Sequence, residues 1–112
     1  MARVNFVPLG SIVQLEGGTQ KLMVVARGLN VKRGEKTYFF DYGGVQYPQG
    51  LSGDQLAYFN HEAIRSLAYI GCNDRDNQIM VETLNTYIEK HEELQRCTPE
   101  EWAESAVQSA GE

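Results

Sequence analysis

Residues 75–96 contain neither glycine nor proline. At about 100° per residue, Met80, Val81, Leu84, Tyr87, Ile88, His91 and Leu94 fall on one stripe narrower than about 180°. Glu82, Glu89, Glu92 and Glu93 lie largely off it. That pattern predicts an amphipathic helix of about five turns or more, and its apolar stripe has to be buried against something. A second, short helix follows. Thr98 can cap it, Pro99 suits its first position, and Glu101 completes a capping box. Trp102, Ala103, Ala106 and Val107 give it a small apolar face, and residues 110–112 should fray.

The preceding seventy residues read as strands. Residues 11–16 alternate, with Val13 and Leu15 opposite Gln14 and Glu16. Gly17-Gly18 then marks a tight hairpin, since glycine takes the positive φ such turns need. The next run is apolar on both faces, with Leu22, Val24 and Ala26 on one and Met23 and Val25 on the other, which predicts a strand covered on both sides. Residues 29–36, with Lys32, Arg33 and Lys36 around Gly34, read as a solvated loop, with a basic contact patch as the alternative. Tyr38, Phe40 and Tyr42 share one face of the following strand, Thr37, Phe39 and Asp41 the other. Gly43-Gly44 is read as the turn of a second hairpin, with alternation resuming at Val45 and Tyr47 until Pro48 ends it. Leu51-Ser52-Gly53-Asp54 is loop chemistry. Asn60 is a candidate helix N-cap, and residues 60–70 read equally as a helix or as one helical turn followed by a strand. The predicted core is Val13, Leu15, Leu22, Val24, Phe40, Val45, Leu56, Leu67, Leu84 and Ile88.

At about 100–200 residues per domain, 112 residues make one domain: a strand-rich body over residues 1–72 and a helical tail over 73–112 that packs on it. The fold class is α+β, a small, strongly bent antiparallel sheet or barrel of about five strands. Net charge is −5, divided as +2 over residues 1–72 and −7 over 73–112. An acidic chain without a dense basic block is a poor nucleic-acid binder, because affinity there comes mainly from neutralising phosphate. No apolar run approaches the ~20 residues of a membrane span, and the opening residues carry no secretory pattern. Two isolated cysteines, Cys72 and Cys97, then read as reduced thiols in a cytoplasm.

Catalytic patterns are thin. His61 and His91 are the two histidines, the first at a turn, the second on the apolar stripe. No cysteine or histidine pair has zinc spacing, and the glycine pairs match no phosphate loop. Asp41 and Asp54 are candidate acids without a visible partner. These readings favour a binding protein over an enzyme, with no cofactor and no metal. Binding material is plentiful: the aromatic series Tyr38, Phe39, Phe40, Tyr42, Tyr47, Tyr58 and Phe59, and the tail helices. Tyr42, Tyr47, Phe59 and Trp102 are the candidate partner-binding residues, since aromatic side chains are enriched at interface cores. An RNA-binding small barrel that stacks bases on these rings is disfavoured by the charge.

Several of these strings together resemble a known family. Residues 8–13 (PLGSIV) and 17–23 (GGTQKLM), then Asp41-Tyr42, Tyr47-Pro48-Gln49-Gly50, Gly53-Asp54 and Phe59-Asn60-His61-Glu62, occur in the order seen in the small bacterial domain-of-unknown-function family 4176. Gln20, Gln49 and Ala63 depart from that pattern, where lysine, glutamate and aspartate are usual. Genes of the family lie beside type VII secretion genes and LXG-type toxins of Gram-positive bacteria. The resemblance therefore implies a cytosolic accessory protein, a chaperone or targeting factor that binds such a toxin; an immunity protein that neutralises one is the alternative. It also favours a helical turn over residues 60–64 and a closing strand over 66–70. A homo-oligomer is compatible with either role, and no membrane or nucleic-acid partner is expected.

Overall fold

Two tight turns and one long pair of strands organise the first half of the chain. The computed structural model describes residues 3–91, 93–94 and 96–110, with side chains as far as Ser105. Gly17, at φ +79°, turns β1 (Ile12–Leu15) back into β2 (Lys21–Arg33), as its glycine pair predicts. Gly34, at φ +63°, then turns β2 directly into β3 (Lys36–Tyr47). The segment read as a solvated loop around Lys32 and Arg33 is thus the end of a hairpin. Its pairs run from Leu29 opposite Phe40 to Arg33 opposite Lys36, because the aromatic run of β3 supplies a partner strand that the polar residues can follow.

Gly43 and Gly44 do not turn the chain. They lie inside β3, where Gly44 pairs with Val24 and Gly43 with Ala26, leaving Val25 as the extra residue of a bulge. Lack of a side chain is what the site requires. A Cβ on Gly44 would lie 3.0 Å from the Met23 carbonyl oxygen and 3.3 Å from the Phe59 ring, and one on Gly43 2.9 Å from Leu29 Cδ1. The bulge bends β2 and turns Val25 to solvent, so the second face of that strand is only partly covered.

β4 (Ala57–Phe59) pairs with β3, and a 3-10 turn at His61–Ala63 leads into β5 (Ile64–Tyr69), which pairs with β1. The family pattern's turn-then-strand reading is the correct one. The sheet is antiparallel in the order β4-β3-β2-β1-β5, an open, bent sheet rather than a barrel. Its two edges are blunted differently. β4 has three residues, while β5 carries extra residues at Arg65 and Ala68 relative to β1, irregularities that discourage pairing with another chain.

The helix predicted first is α1 (Arg75–Lys90), capped by the Asp74 carboxylate accepting the Asn77 N–H at 2.9 Å. It stops at Lys90, short of the expected Arg96. The chain beyond leaves the helix to reach the sheet, where Cys97 N–H donates to the Phe39 carbonyl at 2.9 Å. The buried stripe is also narrower than predicted: Leu84, Asn85 and Ile88 are buried, but Met80 and Tyr87 are exposed. Asn85 explains this. Its carboxamide accepts Val4 N–H and donates to Val4 O (2.7 and 2.9 Å), so residues 3–7 occupy the helix face. α2 (Pro99–Ala110) begins with the expected cap, Glu101 N–H donating to Thr98 Oγ1 at 3.1 Å. Ala110, expected to fray, is the last residue of α2; the apolar roles of Ala106 and Val107, the fraying of residues 111–112 and the outward position of Glu92 lie outside the described residues or side chains.

One cluster joins the sheet, residues 4–6 and α1: Val4, Phe6, Val13, Leu22, Val24, Phe39, Tyr42, Phe59, Leu84 and Ile88. Phe40 is buried beside it, Leu15, Val45 and Leu56 are partly covered, and Leu67 is 41% exposed. Leu67 misses the core: it lies on the edge strand β5 and opens onto a cleft that it shares with Asn77, Gln78 and Val81 of α1. Val4 and Phe6 enter unexpectedly, since nothing in their local pattern marks them as a strand or helix face. No helix of the described residues is long and apolar enough to cross a membrane.

Candidate functional site

The edge of β3 beyond β4 is completed by a side chain. β4 covers β3 from Tyr42 to Gly44, and the segment at Arg96 bridges Phe39. Between them stands Asn60. Its carboxamide accepts Asp41 N–H at 3.0 Å and donates to Cys97 O at 2.6 Å, taking the place of a peptide group. Asn60 therefore does not cap the 3-10 turn, as its position suggested; its side chain makes no cap bond.

Around it is a buried polar network. The fully buried Asp41 carboxylate accepts His61 N–H at 2.8 Å and Arg96 Nε at 3.1 Å, and is further paired to Arg96 Nη2. Arg96 also binds the exposed Glu62. Burial pushes the Glu62 carboxyl up, but the Arg96 hydrogen bond and charge outweigh it and hold it below the usual carboxylate range. The Tyr42 hydroxyl accepts Val7 N–H at 2.9 Å and lies 2.8 Å from His61 Nδ1. Burial drives its ionisation well above the usual phenol range. Asp41, Tyr42, Asn60, His61 and Glu62, quoted above as part of the family's strings, are thus engaged in fastening β3 to the turn and to the segment before α2. Among the described residues no buried side-chain nitrogen or oxygen lacks a partner, and no three acidic, histidine or cysteine side chains converge as a metal site.

A cleft of about 780 Å³ opens beside this network, between the 3-10 turn, β4 and the start of α2. Phe40, Tyr58, Pro99 and Trp102 form apolar walls; Glu16, Glu62 and Arg96 carry its charge. The aromatic wall is built before any partner arrives. Trp102 meets Phe40 and Tyr58 edge-on at 5.0 and 5.8 Å, and Phe40 stacks on Tyr58 at 5.4 Å. Behind it the Arg33 guanidinium lies 3.4 Å from the indole centroid and donates to Trp102 O, a cation–π contact that immobilises the ring.

Of the four residues singled out from the sequence, Trp102 and Phe59 line this cleft. Phe59 is itself buried, and Tyr42 lies fully buried beneath it in a stack at 5.3 Å. Those two rings form the floor and core rather than a free docking surface. The sheet has enough depth at β3 to hide both, which a count of aromatic residues does not reveal. Tyr47, 37% exposed at the end of β3, is not part of the cleft. Phe40 and Tyr58, both named in the aromatic series, also line the cleft, as do Pro99 and Arg96, which no sequence pattern marks for binding. Pro99 precedes Trp102 by three positions, but Arg96 looked like the last turn of a helix. Both cysteines are free. Cys72 is exposed, whereas Cys97 is buried in the cleft wall, and its burial, then Glu101, push its thiol up.

A family model described as Domain of unknown function (DUF4176) matches residues 6–80. No curated protein and no solved structure matches the chain.

Proposed function

Because this chain belongs to the DUF4176 family, we propose that it is a non-catalytic accessory protein that binds an LXG-type toxin in the cytoplasm, as a chaperone or targeting factor for type VII secretion. The preformed cleft carries this reading. Its Trp102 wall is rigid and open at the same time, which is what an interface needs to seat an anchor side chain without ordering its own residues on binding. Of the polar side chains weighed for catalysis, Asp41 and His61 are tied into the Arg96 and Tyr42 network. The partner's identity comes from the family's gene neighbourhood.

The test is co-expression with an LXG-type toxin from the same organism. The toxin is expected to co-purify with the wild-type chain and to be lost on Trp102→Ala in a chain that still melts cooperatively, at a temperature lowered by the loss of the ring's contacts with Phe40, Tyr58 and Arg33. No co-purification with wild type overturns the reading. Secretion and survival separate the two roles: an export factor changes secretion of the toxin only, whereas an immunity protein rescues cells that express the free toxin domain.

A further inference from the structure

We propose that the segment seated in the cleft is an apolar anchor flanked by lysine or arginine. This rests on the reading of the cleft as a protein-binding site, and adds the chemistry of what enters it. The walls select the anchor: Phe40, Tyr58 and Trp102 present ring faces and edges held in place from behind by Arg33. The rim selects the flanks. Arg96 is the one cation among the described lining residues, and its guanidinium is occupied on two sides, by buried Asp41 and by Glu62. Counting the groups behind the lining as well, three carboxylates, Glu16, Glu62 and buried Asp41, stand against two guanidiniums, Arg96 and, behind Trp102, Arg33. The Glu62 side chain remains 68% exposed after pairing, so it keeps acceptor sites open to an incoming ammonium or guanidinium. α2, whose Pro99 and Trp102 line the cleft, also carries exposed Glu100, Glu101 and Glu104, which lie outside its lining and add to the negative charge of that helix. An acidic peptide or a phosphate backbone meets uncompensated negative charge there. A basic segment gains both attraction during its approach and hydrogen bonds at the rim.

The experiment uses the full chain and two labelled synthetic amphipathic peptides. One carries leucine and phenylalanine on one face and lysine on the other; its twin has every lysine replaced by glutamate. Binding is read by fluorescence anisotropy at low and moderate salt. The lysine peptide is expected to bind about tenfold more tightly than its twin at low salt, with the difference shrinking as salt rises. Glu16→Lys should weaken the lysine peptide at an unchanged melting temperature, because the Glu16 side chain is exposed and only its backbone N–H is used, donating to Ala63 O. Trp102→Ala should weaken it as well. Equal binding of the two peptides, or indifference to Glu16→Lys, overturns the proposal. The outcomes also separate it from the functional reading. If the toxin co-purifies but is insensitive to salt and to Glu16→Lys, the basic-segment inference falls and the accessory role stands. If the lysine peptide behaves as expected but the toxin does not co-purify, the cleft chemistry stands and the toxin assignment falls.

Discussion

Asn60 and Asn85 each hold a length of backbone that no strand reaches. One completes the edge of β3, the other clamps Val4 against α1. A carboxamide suits this because it offers a donor and an acceptor side by side, like a peptide group. Asn60→Ala leaves the Asp41 N–H and the Cys97 carbonyl unpaired in a part-buried site. A lowered denaturation midpoint is expected, with a loss of about 1–3 kcal/mol for each buried group left without a partner. Asn60→Asp keeps the acceptor but sets a carboxylate oxygen against the Cys97 carbonyl and beside buried Asp41, and should lose at least as much. The neighbouring Glu62 sets a pH limit. Its carboxyl titrates below its ordinary value of 4.5 in the folded chain, so its contribution to stability is present above pH 4.5 and is lost as the pH falls through the lowered value. Urea titrations at descending pH should show the midpoint falling in that window. Glu62→Gln should flatten the fall, and an identical acid limb in the variant would show that the Glu62–Arg96 pair contributes nothing.

At the scale of elements, the decisive choice is whether a glycine pair turns a chain or lets two strands approach. Gly17-Gly18 does the first and Gly43-Gly44 the second, though both lie between apolar alternating runs. Gly44→Val tests the close approach. A Cβ there already meets the Met23 carbonyl and the Phe59 ring, before the methyls are added. Overpacking of this kind costs about 1–3 kcal/mol, so a clearly lowered melting temperature is expected. The same contrast explains what was legible beforehand. β1, the Gly17 turn, the amphipathic stripe of α1, and the Thr98–Glu101 cap of α2 are local patterns and are readable. The extension of β2 through Lys32 and Arg33, the end of α1 at Lys90 and the burial of Val4 and Phe6 depend on partners far along the chain, and periodicity carries no trace of them. Within the cleft, Trp102 was identifiable as an aromatic residue on a short helix. Arg96 was not, because its role exists only where Asp41 and Glu62 have been folded beneath it.

Across the whole molecule, the body and the helical tail share one core. Leu84 and Ile88 belong to the cluster of Val13, Leu22 and Val24, and Cys97 and Arg96 close the edge of β3. Truncation after Cys72 should therefore leave a chain that aggregates or lacks a cooperative thermal transition, since it uncovers that cluster. A soluble, cooperatively melting fragment comprising residues 1–72 would show that the sheet stands alone. Val4 and Asn85 are separated by 81 residues, and this has a consequence for the order in which a ribosome delivers the chain. Val4 emerges long before the helix that holds it, and every strand of the sheet is synthesised in between. The growing chain can pair β1, β2 and β3 as they appear, but Val4 and Phe6 cannot take their places until α1 has left the exit tunnel. Such distant contacts are slow to form, so the earliest of these residues to be made are among the last to be seated.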